Sequence, residues 1–174
     1  DAKKINFNLM ADMILAVQRG KIDCYIEDAP FMAPLLWEGI DVKSVDEAVA
    51  QVSSGFVFPQ REESSELRRQ VNAFLAEAKA DGTINRLIEK WLGDTEPTEH
   101  PAYSRLTGEN GTIHLAISVD NKPLLYQTAE GYTGFEMELL TLFGQYAGYA
   151  YDIEVVPFES IIAGISSGKY DMAA

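Results

Sequence analysis

Apolar residues recur at helical spacing in two distant places, and the same short phrase follows each time. Met10, Met13, Ile14 and Val17 lie at i, i+3, i+4 and i+7, and Phe158, Ile161, Ile162 and Ile165 repeat that spacing near the other end. Both runs predict an amphipathic helix. Gly20 and Gly168 come three residues later, where glycine suits a left-handed helix stop, and the lysine after each favours the negative helix end. Ile22–Ile26 and Tyr170–Ala174 then read as short buried strands, while Ile5–Phe7 and Tyr151–Val156 read as strands ahead of the helices. Each unit is therefore the αβ half of a βαβ crossover, which predicts parallel strands. The alternative is a chance likeness between two common αβ units. Against it, spacing, glycine, lysine and aspartate all coincide.

Between these units the pattern changes. Leu67, Val71, Phe74, Leu75 and Ala78 form the stripe of a long helix with an acidic start, broken at Asp81-Gly82. Thr83 is expected to cap a second helix that carries Ile84, Leu87, Ile88 and Trp91 on one face and ends at Gly93. Residues 94–111 are polar, hold two prolines and read as a linker. Ile113–Val119 then predicts a strand, and Gly134–Tyr146 a helix with Phe135, Leu139, Leu142, Phe143 and Tyr146 on one face, stopped by Gly148. Residues 40–54 stay ambiguous, because Ser44 to Glu47 has capping-box spacing yet leads straight into a strand at Gly55–Phe58.

Composition narrows the function classes. The net charge of −13 leaves no basic patch for a phosphate backbone, so nucleic acid is excluded as a partner and docking on an anionic membrane is disfavoured. No apolar run approaches the ~18 residues of a membrane-spanning helix. The chain opens Asp1-Ala2-Lys3-Lys4, with neither an initiator Met nor a signal peptide, as a trimmed product or an excised fragment would. Cys24 stands alone and reads as a small buried apolar residue, and His100 and His114 are too few for a metal cluster. No cofactor or metal is expected.

Three ordered blocks carry a resemblance to a known family. AVQRGKIDCYIEDAP resembles the second-lobe signature of family 3 periplasmic solute-binding proteins, the receptors of polar amino-acid ABC transporters. GFVFPQREESSELRRQVNAFLAEAKADGTINRLIEKWLG is similar to that family's C-terminal end, where a strand returns to the first lobe and two helices close it. GYTGFEMELLTLFGQYAGYAYDIEVVPFESIIAGISSGKYDMAA resembles the N-terminal lobe. The implied fold is α/β, a type II periplasmic-binding-protein clamshell with three-layer αβα lobes, here incomplete. A family member would run N-terminal half, second lobe, closing helices, whereas here the second lobe and closing helices come first and an N-terminal half follows. The expectation is a slice across two tandem modules: residues 1–56 from a second lobe, 57–93 its return strand and closing helices, 94–111 a linker, and 112–174 the first half of the next module's first lobe. Circular permutation is the rival account.

The resemblance also implies site residues. Asp28 matches the aspartate that holds a ligand ammonium, although Pro30 next to it allows a purely local capping role. Phe158 matches an aromatic that stacks on ligand, although its spacing also places it in the stripe with Ile161 and Ile165. Asn121 and Leu124 replace the aromatic and Phe that the family usually carries around Pro123, which puts the ligand identity in doubt. Asp28 and Phe158 would fall in different modules and need not face one site. Trp91 is expected to pack, and Lys21 and Lys169 to be exposed turn charges. The implied function is capture of a polar amino acid, with a membrane permease of an ABC transporter as partner and an extracellular or periplasmic location. A signalling ectodomain is the alternative. An enzyme ranks third, since no nucleophile, base and orienter come together.

Overall fold

The computed structural model describes residues 3–174 except 8, 46 and 52. Helix α1 (Met10–Gln18) is followed by a 3-10 turn (Ala29–Phe31) that runs into α2 (Met32–Trp37). Then come α3 (Ser64–Ala80), α4 (Thr83–Leu92), β1 (Thr112–Ile117), β2 (Asp120–Asn121), β3 (Leu125–Thr128) and β4 (Gly131–Thr133). The chain closes with α5 (Phe135–Ala147), β5 (Ala150–Val155), α6 (Phe158–Ser166) and β6 (Met172–Ala173).

One parallel sheet, ordered β5-β1-β6, organises the second half of the chain. Its middle strand is apolar on both faces, as a strand with helices on either side must be. Leu115 and Ile117 point into a core shared with Met137, Leu140 and Phe143 of α5, while Ala116 faces Ile161 and Ile165 of α6. This makes a three-layer α/β/α lobe. A small antiparallel sheet, β2-β3-β4, leads from the end of β1 into α5.

Residues from before the 94–111 segment complete this lobe. Val57 and Ala173 exchange both backbone hydrogen bonds, at 3.0 and 2.9 Å, and so add one antiparallel position beside β6. Val71, Phe74 and Ala78 of α3 and Leu87 and Trp91 of α4 enter the same core as β1 and α5. Trp91 is fully buried, and its indole N–H donates to Glu138 of α5 at 2.7 Å. Lys90 pairs with that same carboxylate at 2.7 Å. Arg61 reaches Asp171 at 3.3 Å.

The 94–111 segment has no helix or strand, as expected of a linker, but it is not loose. Tyr103 N–H donates to the Tyr132 carbonyl at 2.8 Å, and Thr133 Oγ1 donates to the Pro101 carbonyl at 3.1 Å. Tyr103 and Leu106 pack on the core. The segment is a strap that runs along the lobe from the Lys122 end to the opposite end of β1 and β5.

The two repeat units share their helix stop down to individual bonds. Gly20 and Gly168, with φ of +65° and +76°, donate to Val17 and Ile165, and Lys21 and Lys169 donate to Ala16 and Gly164. Both are the six-to-one and five-to-two pairs of a Schellman stop. Beyond the stop they diverge. Tyr170–Ala174 delivers β6, whereas Ile22–Ile26 forms no strand and leaves Ile26 76% exposed. A strand needs a neighbour for its backbone groups, and among the described residues no strand pairs with residues 22–26. Ile5–Phe7 likewise forms none, and Gly55–Phe58 contributes only the Val57 position. Cys24 is exposed rather than buried for the same reason. Residues 40–54 hold no helix or strand among the described residues, and Asp46, inside the capping-box spacing, lies outside them. Thr83 does not cap α4. It is the first helical residue, and Asp81 Oδ1 accepts its N–H at 2.8 Å across Gly82.

Candidate functional site

Parallel α/β sheets bind ligands beyond the carboxyl ends of their strands, where connections fan apart. Here those ends are Ile117, Val155 and Ala173, and they lie side by side. The Val156 N–H donates to the Ile117 carbonyl at 2.9 Å, which holds the exits of β1 and β5 together. From these exits come Asn121 in β2 and Phe158 at the first turn of α6. The structure therefore brings Asn121, Leu124 and Phe158 to one end of the sheet.

Their surroundings differ. Phe158 is 66% exposed and Ile162 is also uncovered, so the apolar face of α6 divides: Ile161 and Ile165 enter the core and Phe158 does not. Asn121 and Leu124 are half-buried, and Leu124 N–H donates to the Asn121 carbonyl at 2.6 Å in the β2–β3 turn. The Pro123 and Leu124 carbonyls accept from Phe135 and Glu136 N–H at 3.1 and 2.7 Å. The turn is thus fastened to the start of α5.

Burial of the Glu136 side chain at that start pushes its carboxyl pKa up. The native state then binds this proton more tightly than the unfolded chain, so stability falls as pH rises from the ordinary carboxylate range through the raised folded value. Glu136→Gln should raise the melting temperature at pH 7 and much less at pH 4. An equal shift at both pH values in a thermal melt would show that the side chain carries no such penalty.

Asp28 is not brought to this end. It is exposed, precedes the 3-10 turn, and makes no side-chain cap hydrogen bond; only its carbonyl accepts from Phe31 N–H at 3.0 Å. Among the described residues no hydrogen bond or ion pair joins it to residues 112–174. Among the described residues its carboxylate has no hydrogen-bond or ion-pair partner.

Sequence reasoning passed over a second constellation at the same end. Lys122, next to Asn121, pairs with Glu96 at 3.2 Å and lies 5.6 Å from the Trp37 ring and 5.9 Å from the Tyr126 ring. Tyr126 OH lies 2.6 Å from His100 Nδ1, and its pKa is pushed up to about 12, first by burial and then by the Glu96 charge. No periodicity announces this cluster, because its members come from four separate segments. His114 does have acidic neighbours, Glu154 at 3.7 Å and Asp152 at 3.9 Å, but no group suited to hold a metal forms among the described residues. An open groove of about 560 Å³, lined by Tyr103, Arg105, Tyr132 and Tyr151, lies at the opposite end of β1 and β5.

The family model for bacterial extracellular solute-binding proteins, family 3, matches residues 3–94 and 113–174. The chain belongs to that family. A Vibrio harveyi protein, PatH, named as an amino-acid ABC transporter-binding protein, is 30% identical over 78 residues, which is 44% of this chain and 32% of that protein. The chain thus spans about a third of the length of this curated relative. No solved structure matches. Family membership accounts for the α/β lobe with helices on both faces. It also fits the gap in the match, which falls on the strap. No helix among the described residues is long and apolar enough to cross a membrane.

Proposed function

We propose that this solute-binding chain is part of a receptor that captures a polar amino acid, or a similar small solute, and passes it to the permease of an ABC transporter. Binding proceeds by lobe closure without chemistry, outside the cytoplasm. The observation that carries this reading is the family match on both sides of the strap, together with Asn121 and Phe158 at the carboxyl ends of the parallel strands. The name of the Vibrio harveyi relative supports an amino acid as solute. The order of the motif blocks supports two modules in tandem, with 1–56 from a second lobe, 57–93 as closing segment, 94–111 as connection and 112–174 as the start of the next first lobe.

In this reading Asp28 binds the ligand ammonium in the first module, while in the next module Phe158 stacks on the ligand and Asn121 and Leu124 shape the pocket. A charged hydrogen bond contributes at least about 1.5 kcal/mol. Asp28→Ala in a complete module is therefore expected to weaken amino-acid binding by about tenfold or more. Titration calorimetry with a panel of polar amino acids tests it. Saturable binding that Asp28→Ala leaves unchanged would remove Asp28 from the site, and turnover of the amino acid would replace the receptor reading with an enzyme.

A further inference from the structure

Strand β5 is the outer strand of the parallel sheet, and its free edge is only partly closed. Ala150 N–H donates to the Gly111 carbonyl at 3.0 Å, and Val156 N–H to the Ile117 carbonyl at 2.9 Å. Backbone groups of alternate residues point to the same side of a strand. Asp152 and Glu154 therefore turn theirs to β1, and Tyr151, Ile153 and Val155 turn theirs outward. The strap closes the first of these positions, where the Tyr103 hydroxyl accepts the Tyr151 N–H at 3.3 Å. Among the described residues, Ile153 and Val155 have no backbone hydrogen-bond partner on that side. Such an edge is a template for another extended chain.

The open stretch carries charge of both signs. The groove of about 560 Å³ opens beside it, because Tyr103, Arg105, Asp152 and Ile153 all line that groove. The Asp152 side chain is 73% exposed, and its closest basic neighbour among the described residues is His114 at 3.9 Å, beyond hydrogen-bonding distance. Glu154, next on the same face, is already held by Lys169 at 2.6 Å and Tyr170 at 3.0 Å. Arg105 is exposed and forms no ion pair or hydrogen bond among the described residues. It lies on the strap between Tyr103, which meets Tyr151, and Gly108, which abuts Ala150, at the amino-terminal end of β5. On the other face Ile153 joins the core, and Val155 stands partly uncovered.

We propose that the free edge of β5 binds the C-terminal tail of another polypeptide as an added strand, in which Lys or Arg alternates with apolar residues. Arg105 takes the terminal carboxylate. That carboxylate then lies at the amino-terminal end of β5, so the tail runs antiparallel, the slightly more stable pairing. Residues directly opposite share a face, so a base meets Asp152 while apolar residues meet Ile153 and Val155 and exchange backbone hydrogen bonds with them. Tyr103 already fills the position at Tyr151 and ends the added strand. A second copy of this chain fits poorly: two β5 edges paired about Ile153 would set Asp152 against Glu154. None of these residues belongs to the amino-acid site proposed above, so the two readings stand or fall separately.

The probe is the pentapeptide acetyl-Lys-Val-Lys-Val-Lys with a free terminal carboxylate, titrated into the full chain by calorimetry. Saturable binding with a Kd of about 1 mM or tighter is expected. N-methylation of the two Val amides should abolish it, because those amides face β5. N-methylation of the Lys amides, which face away, should be tolerated. A terminal carboxamide should weaken binding about threefold, and Arg105→Ala should erase the difference between acid and amide. Asp152→Asn should weaken both peptides about threefold. Both side chains are exposed, so melting temperatures of the two variants should match the parent. Absence of saturable binding would overturn the proposal. Equal binding of the two N-methylated peptides would do so too, by showing only the pull of a net charge of −13 on cations. Affinities that Arg105→Ala and Asp152→Asn both leave unchanged would be equally decisive against it.

Discussion

Trp91→Ala is expected to destabilise the protein by about 4 kcal/mol, since truncating a core Trp or Phe costs about 3–5 kcal/mol. Two effects add. The side chain is fully buried where α4 meets α5 and the antiparallel sheet, so its removal leaves a void beside His100 and Tyr126 that rigid neighbours cannot fill. The change also removes the indole N–H from Glu138, leaving that half-buried carboxylate with Lys90 as its donor. Total stabilities are about 5–15 kcal/mol, so the variant should lose much of its margin. Trp91→Phe retains most of the volume and should cost markedly less. Urea unfolding of both variants checks the order, and equal small losses would mean that Trp91 is not a core anchor.

Gly134→Ala should cost about 3 kcal/mol, from a disallowed backbone region and from overpacking together. Gly134 has φ +115° and ψ 176°, a conformation that essentially only glycine adopts. An added Cβ would stand 2.5 Å from the Leu124 carbonyl oxygen and 2.8 Å from that of Pro123. Those oxygens cannot retreat without breaking their bonds to Phe135 and Glu136, which fasten the Asn121–Leu124 turn. Gly111→Ala is the natural control. It shares φ +115° but has nothing within 4 Å of an added Cβ, so it isolates the backbone strain. Gly134→Ala should be clearly the more destabilised of the two in thermal melts. Equal losses would assign the whole effect to φ.

Helices α1, α3, α4, α5 and α6 were legible because each carries its own signal. The stripe of α3, the Gly-Lys stops after α1 and α6, and Gly148 after α5 are local features, and each reappears in the structure. Strands were legible only where partners exist. Ile22–Ile26 has the same apolar content as Tyr170–Ala174, yet only the latter meets β1. Polar composition marked residues 94–111 correctly as irregular, but it could not show that Tyr103 and Leu106 would strap them to the core. For the site, the family resemblance placed Asn121, Leu124 and Phe158 in connections that leave one end of the sheet. The cluster around Lys122 escaped notice because Trp37, Glu96, Lys122 and Tyr126 come from separate segments of the chain.

Residues 57–93 and 112–174 share one core within a single chain, and Val57 pairs with Ala173 at its edge. A lobe assembled from both sides of the strap brings the entry of residues 3–55 beside β6, at the same end as Asn121 and Phe158.

The most direct test of this composite lobe is a disulfide across its seam. Directly paired residues that exchange hydrogen bonds have Cα atoms about 5.5 Å apart, within the range a disulfide spans. Val57→Cys with Ala173→Cys, in a Cys24→Ser background, should oxidise within one chain and leave the solution mass that of a monomer. Cross-linked dimers, or two thiols that stay free under oxidant, would contradict the lobe described above.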